Sequence, residues 1–236
     1  MSLFPKQVNE DLAPDPAAGG SDPSTRALSV AVVESSFVEN VYNKIAVVDD
    51  WLFGVTLHPG RLEAIRKLDL RPGDEVLEVG VGTGINAALY PSNVRVTGID
   101  LAQKMLEKAA RRLAARNVRN VRLMQMDAAR LDFPDDSFDL VYAPYVISVV
   151  SDPVAVAREM RRVCRPGGRF VFLNHFLSTN RFIARAERLI SPLTVYIGFK
   201  ADLDLQAFLA QAELEPISIQ RVNVPRIWSL ITCTKR

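Results

Sequence analysis

Glu75-Val76-Leu77-Glu78-Val79-Gly80-Val81-Gly82-Thr83-Gly84 is the stretch on which the fold turns. Its first five residues read as a buried strand, because long and β-branched apolar side chains follow one another with little interruption. Three glycines at alternate positions then end the strand and let the chain turn tightly, and a helix is expected near Asn86 to Leu89.

The same rhythm continues outward. Val94 to Ile99 reads as a second strand ending on Asp100, followed by a long helix from about Ala102 to Arg116. Val121 to Met126 is a third strand ending on Asp127, and Phe138 to Tyr142 a fourth, after the turn Pro134-Asp135-Asp136-Ser137. A helix over Pro153 to Val163 stops at Arg165-Pro166-Gly167-Gly168, and a strand follows over Arg169 to Leu173. After a less regular stretch from Asn174 to Lys200, a helix near Leu203 to Ala212 and two strands, near Pro216 to Gln220 and Ile227 to Thr234, complete the pattern. Strands alternating with helices predict βαβ units with right-handed crossovers. The expected fold class is therefore α/β: a doubly wound, mainly parallel seven-stranded sheet with helices on both faces.

Ahead of that body, residues 1–24 are rich in Pro, Asp, Gly and Ser, with Pro5, Pro14, Pro16 and Pro23, and read as a mobile tail. Over 25–60 the pattern becomes helical and amphipathic, with Phe37, Val41, Ile45, Val48 and Leu52 on one stripe. His58-Pro59-Gly60 breaks it, and Arg61 to Leu68 is a short helix closed by Arg71-Pro72-Gly73. The expected domain runs over 61–236, with an insertion at about 175–202.

The chain has 236 residues, 48% of them apolar and 24% charged, which is the composition of a globular protein with room for a sizeable core. Its net charge of +2 gives no argument for a nucleic-acid partner, although Arg111, Arg112, Arg116, Arg119 and Arg122 form a local basic run. Cys164 and Cys233 fall at a helix end and in a C-terminal strand, and neither sits in a metal-ligand spacing, so reduced thiols, no metal and a cytoplasmic setting are expected. No apolar run reaches the roughly 20 residues that a spanning helix needs, and the start of the chain lacks the pattern of a signal peptide. Nothing asks for an obligate protein partner.

In an open parallel sheet the ligand lies beyond the carboxyl ends of the strands. Gly80, Gly82 and Gly84 lie there, offering backbone amides without a Cβ in the way. Asp100 follows Gly84 by sixteen residues, the placement of a carboxylate that accepts from two ribose hydroxyls, with Leu101 beside it. Asp127 and Ala128 end the third strand, where a carboxylate and an amide would meet the exocyclic amine and a ring nitrogen of adenine. Together they describe an adenosine-shaped site. A dinucleotide is the rival, because Gly82-Thr83-Gly84-Ile85-Asn86-Ala87 also satisfies the G-x-G-x-x-G/A pattern. Glu78 argues against it: an acid before the loop repels a pyrophosphate and suits the α-ammonium of S-adenosylmethionine.

Val76 to Gly84, Gly98-Ile99-Asp100, Met126-Asp127-Ala128, Phe133 to Asp139 and Arg165-Pro166-Gly167-Gly168 resemble the class I S-adenosylmethionine-dependent methyltransferases, over about Asp74 to Leu173. That likeness implies a Rossmann-like methyltransferase fold and S-adenosylhomocysteine as product. Val41-Tyr42 with Leu57-His58-Pro59-Gly60-Arg61, Tyr145 to Pro153, and Asn174-His175-Phe176 resemble the bacterial phospholipid N-methyltransferases, with Tyr42-Asn43 standing where that family has Tyr-Asp. This second likeness implies an enzyme that methylates phosphatidylethanolamine stepwise towards phosphatidylcholine. It also implies acceptor contacts from Tyr42, His58, Arg61, Tyr145, Asn174 and His175.

A protonated amine with a pKa of about 10.4 must lose a proton before it can attack a methyl group. His175 is the first candidate to take it and Tyr145 the second, with Tyr42 lining the amine pocket. As methyl groups accumulate, the ammonium is drawn to aromatic faces such as those of Tyr42, Tyr145 or Trp51. Arg181 and Lys200, in the irregular insertion, are candidates for the lipid phosphate. The 25–60 segment is read as a lid over the cofactor, a contact with an anionic-lipid-containing bilayer, or both. A peripheral place on the inner face of the membrane follows. The alternative acceptors are another apolar molecule, such as a quinone precursor, or, for a different class of protein altogether, the substrate of an NAD-dependent oxidoreductase.

Overall fold

Alternation along the central strands decides what covers each side of the sheet. The computed structural model describes residues 60–176, 203–222 and 228–236. The expected tail and the 25–60 segment up to residue 59, with Tyr42, Trp51 and His58, lie outside them, as do residues 177–202 with Arg181 and Lys200. In chain order the strands are β1 (Glu75–Val79), β2 (Arg95–Asp100), β3 (Val121–Gln125), β4 (Phe138–Pro144), β5 (Cys164–His175), β6 (Pro216–Val222) and β7 (Trp228–Thr234). The helices are α1 (helical residues 60–67), α2 (Gln103–Ala115), α3 (Pro153–Val163) and α4 (Leu205–Gln211). The sheet order is β3-β2-β1-β4-β5-β7-β6. All neighbouring strands are parallel except at β7, which runs against β5 and β6.

Leu77, Val79, Val141, Ala143, Phe170 and Phe172 point to one face, where they are buried with Val156, Ala157 and Met160 of α3 and Phe208 and Leu209 of α4. Their neighbours Val76, Leu140, Tyr142, Val171 and Leu173 point to the other face and meet Ala64 and Ile65 of α1 and Leu68 just after it. Because successive side chains alternate and both faces are covered, these strands are apolar almost throughout. Helix α2 buries Met105, Leu106, Ala109 and Leu113, the i, i+4, i+8 stripe of an amphipathic helix.

The helix expected near Asn86 to Leu89 is shorter than the sequence suggests: Ala87–Leu89 form a single 3-10 turn with no side-chain cap, and Pro91 follows at once. Strand β5 is longer than expected. It begins at Cys164, pairs with Phe138, then slips register so that Arg169 pairs with Leu140, and the Arg165-Pro166-Gly167-Gly168 run forms the irregularity between them. Helix α3 keeps its expected bounds because Asp152 caps it by accepting from the Ala155 amide and Pro153 opens its first turn.

The loop that carries the chain from the end of β3 to β4 is held by Arg162 of α3. Its guanidinium donates to the carbonyls of Leu131 and Phe133, each at 2.8 Å, and to Glu159 and Asp135. Five donors in a rigid fork meet acceptors on three sides, which a lysine cannot reproduce. Arg162→Ala is expected to lower stability by on the order of 2 kcal/mol, and Arg162→Lys to recover only part of that, measured by urea unfolding.

Candidate active site

Parallel pairing brings the carboxyl ends of β1, β2, β3, β4 and β5 to one edge of the sheet. The Gly-rich loop leaves β1 there, and its three glycines all adopt positive φ: 69° at Gly80, 54° at Gly82 and 76° at Gly84. They serve different purposes. A Cβ at Gly80 would collide with Val146 and one at Gly84 with Ala109, whereas one at Gly82 would meet nothing within 4 Å. Gly80 and Gly84 are therefore demanded by packing within the protein, and Gly82 alone opens the loop outward.

Asp100 fixes that opening. One carboxylate oxygen accepts from the Gly82 amide at 2.8 Å and the other from the Ala102 amide at 2.9 Å, so the end of β2 is tied both to the loop and to the start of α2. Arg112, one of the basic run on α2, donates to the Thr83 carbonyl at 2.5 Å and to its hydroxyl at 2.8 Å. Asp100 lies next to the β3 end because the Met126 amide donates to the Asp100 carbonyl. Asp127 and Ala128 follow, with one Asp127 oxygen accepting from the Ala129 amide. Leu101 is exposed beside them, one of three large apolar side chains in that state among the described residues.

Beneath the loop lies a polar cluster that hydrophobic patterning hides. Glu78 is 0% exposed. Neither of its oxygens makes a well-formed hydrogen bond, although Tyr90 and Asn86 are near enough to favour the anion, as is Arg61. Burial outweighs them and pushes the carboxyl up from 4.5 to about 7. The hydroxyls of Tyr90 and Tyr142 and the Nε of Arg61 are likewise buried and unpartnered. Burial also holds both tyrosines well above their usual range. Five of the six orphaned side-chain atoms among the described residues thus belong to this cluster. Unpaired polar atoms of both signs, gathered at one place, mark a site for a polar guest.

Arg61 reaches over the cluster from α1. It donates to the Asn86 side chain at 3.0 Å, and its guanidinium lies 4.8 Å from the centre of the Tyr145 ring. Tyr145 itself ends β4 in the left-handed region, with φ 64°, and its amide donates to the Leu173 carbonyl at 2.6 Å. Its ring meets Trp228 edge to face, 4.8 Å between centres, and Trp228 meets His175 at 5.8 Å.

The structure therefore brings Glu78, the three glycines, Asp100, Leu101, Asp127 and Ala128 to one side of this edge and Tyr145 and His175 to the other, with Arg61 between them, bonded to Asn86 and lying over the Tyr145 ring. Asn174 is not among them. Odd and even positions of β5 face opposite ways, so Asn174 is turned from the His175 face and buried, accepting from Ser148 at 3.4 Å and donating to the His175 carbonyl. Sequence reasoning missed Trp228, Asn86, Tyr90 and Tyr142. Only Asn86 carried a signal, by lying within the quoted glycine pattern. Among the described residues no group of three or more His, Cys, Asp or Glu is arranged to hold a metal ion, and no helix is long and apolar enough to cross a membrane.

The loop also separates the two nucleotide readings. A dinucleotide fingerprint depends on a helix N-terminus facing the pyrophosphate, and here a three-residue 3-10 turn stands in that place above a buried acid. Residues 77–172 match a family model described as a methyltransferase domain. The chain is 37% identical over 186 residues to the phosphatidylethanolamine N-methyltransferase of Cereibacter sphaeroides, covering 78% of this chain and 91% of that protein. It is 34% identical over 156 residues to the ubiquinone/menaquinone biosynthesis C-methyltransferase of Geotalea daltonii, covering 62% and 65%. The crystal structure of the YcgJ protein of Bacillus subtilis superposes with a TM-score of 0.60 at 27% identity, covering 69% of this chain and 72% of that one. The chain belongs to the class I S-adenosylmethionine-dependent methyltransferases.

Two expectations follow. Gly80→Ala combines a positive φ with a collision and should cost about 3 kcal/mol or more. Gly82→Ala should cost nearer 1 kcal/mol in stability yet weaken S-adenosylhomocysteine binding, as thermal melts and calorimetry would show. Glu78 gives the second. Below about 4.5 it is protonated whether the chain is folded or not; between there and about 7 only the unfolded chain ionises, so stability falls as pH rises, and above 7 the loss is complete. Glu78→Gln should accordingly raise the melting temperature of the ligand-free protein at pH 8, not at pH 4.5. The native protein should bind S-adenosylhomocysteine more tightly as pH increases through 7, and Glu78→Gln should remove that rise.

Proposed function

We propose that this chain is a phospholipid N-methyltransferase that transfers methyl groups from S-adenosylmethionine to the amine of phosphatidylethanolamine and its partly methylated derivatives, towards phosphatidylcholine. The observation that carries this reading is the 37% identity to a phosphatidylethanolamine N-methyltransferase over 91% of that protein's length. The likeness to a quinone C-methyltransferase covers 65% of its counterpart.

The residues present fit the cofactor. Its amino-acid end is a zwitterion, and the orphaned cluster offers an anion, Glu78, for the α-ammonium and a cation, Arg61 with its unpaired Nε, for the α-carboxylate. Arg61, expected to contact the acceptor, is thereby reassigned to the cofactor, with which its bond to Asn86 agrees. Asp100, at the end of β2 with its carboxylate on the Gly82 and Ala102 amides, is placed to meet the ribose hydroxyls. Exposed Leu101 offers an apolar flank to adenine, with Asp127 and Ala128 at its edge.

When bound, the cofactor supplies an electrophilic methyl group on a cationic sulfur. The chain's own work is to align the amine with it, to exclude water and to dispose of a proton. The amine's lone pair forms the new C–N bond while the C–S bond breaks towards sulfur, and each transfer to a primary, secondary or tertiary amine begins from its unprotonated form. His175, 8% exposed at the end of β5, is our choice of proton acceptor. Tyr145 lies within the same aromatic group and is held in place by its backbone bond to Leu173. The 25–60 segment, with Tyr42 and His58, would then supply the lid and the contact with an anionic bilayer, and Arg181 and Lys200 a hold on the lipid phosphate.

Incubation with radiolabelled methyl donor and vesicles containing phosphatidylethanolamine should place label in lipid. His175→Ala should lower kcat by about a hundredfold and leave S-adenosylhomocysteine binding intact. Label in a demethylated quinone and none in aminolipid would transfer the chain to the quinone C-methyltransferases.

A further inference from the structure

Three rings that are distant in sequence share one face of the sheet at its carboxyl edge. His175 and Trp228 are directly opposite in the β5–β7 register, so their side chains emerge on the same side. Tyr145 reaches that side from the end of β4, and the centres of Tyr145 and His175 lie 4.8 Å and 5.8 Å from that of the indole. A cation already occupies one ring of this group, because the Arg61 guanidinium is centred 4.8 Å over Tyr145. The aromatic cluster is thus an environment that attracts positive charge, and its strongest π-donor is Trp228. Trp228 is half-buried, which leaves part of the indole accessible.

We infer that Trp228 determines which acceptors the site prefers, forming the wall against which the ammonium head group rests and favouring its methylated forms. This inference rests on the aminolipid reading above. A primary ammonium has three N–H donors and is strongly hydrated, so an aromatic wall that offers no acceptor recovers little of what the group leaves in water. Each methyl group removes a donor and adds apolar surface without removing the charge. A trimethylated or dimethylated head group then gains from the ring what a primary one loses. Trp228 would bias the enzyme towards its own intermediates, so that second and third transfers follow the first more readily than new lipid enters. The remaining wall is supplied by Tyr145, which carries Arg61, and by His175.

The test compares Trp228→Ala and Trp228→Phe with the native chain on vesicles containing phosphatidylethanolamine, its monomethyl derivative or its dimethyl derivative, with S-adenosylhomocysteine calorimetry alongside. Trp228→Ala should raise KM for the dimethyl lipid about tenfold, change KM for phosphatidylethanolamine less than about twofold, and leave the calorimetric affinity unchanged, with Trp228→Phe between. If Trp228→Ala loses S-adenosylhomocysteine binding, the fold has been disturbed and Trp228→Phe decides alone, by the same ordering of the three lipids. Equal changes on all three lipids, or none, would overturn the role of Trp228 while leaving the aminolipid reading intact. A native chain that binds S-adenosylhomocysteine but labels none of the three lipids would overturn both.

Discussion

The five adjacent parallel strands β1 to β5 place their carboxyl ends along one edge of the sheet, and the candidate site is gathered there. The pairing of β1 with β2 on one side and β4 on the other sets the distances. It puts Asp100 within reach of the Gly82 amide and Tyr142 beside Glu78. The glycine loop at this edge is tied back by side chains of neighbouring elements: Arg112 donates to Thr83 and Asp100 accepts from Gly82. A site built on strand ends in this way inherits the rigidity of the sheet.

Glu78 shows what such a site costs the fold. A carboxyl group with no exposure and no well-formed hydrogen bond opposes folding at neutral pH, and no apolar neighbour can relieve it. The opposition is confined to a place where β1 is covered on both faces and flanked on both sides, so the structure tolerates it. The same buried acid becomes favourable once a cation arrives, since in low dielectric the attraction between them is strong. Under the proposed contact with the cofactor ammonium, stability given up at this strand end would be the source of affinity there.

The fold was legible because its signals are local. Strand β1, the glycine loop, Asp100 and helix α3 each announce themselves within a few residues, and α3 has the expected ends because its cap and its proline are adjacent in sequence. What failed to show depended on register or on the third dimension. The Arg165-Pro166-Gly167-Gly168 run reads as a helix stop, yet it is the irregularity inside a longer strand, because pairing with Phe138 begins before it. Asn174 and His175 look like one motif, yet alternation turns them to opposite faces. Trp228 joins the site only through an antiparallel register with His175, about which nothing near residue 228 informs. Arg112 looks like a member of a basic run, and the structure uses it, like Arg162, as a clamp.

Asp100 carries a consequence for anyone who would redirect this chain to altered methyl donors. Its carboxylate already shapes the loop by accepting from Gly82 and positions α2 by accepting from Ala102. Under the proposed ribose contact, a substitution meant to admit a changed sugar would therefore reshape the opening itself, which makes ribose-modified donors a poor starting point for engineering. Leu101 next to it bears no such duty: its side chain is exposed and makes no hydrogen bond. Under the proposed adenine contact, donors modified on the base, paired with smaller side chains at 101, would offer a route to an orthogonal enzyme that leaves the architecture of the loop untouched.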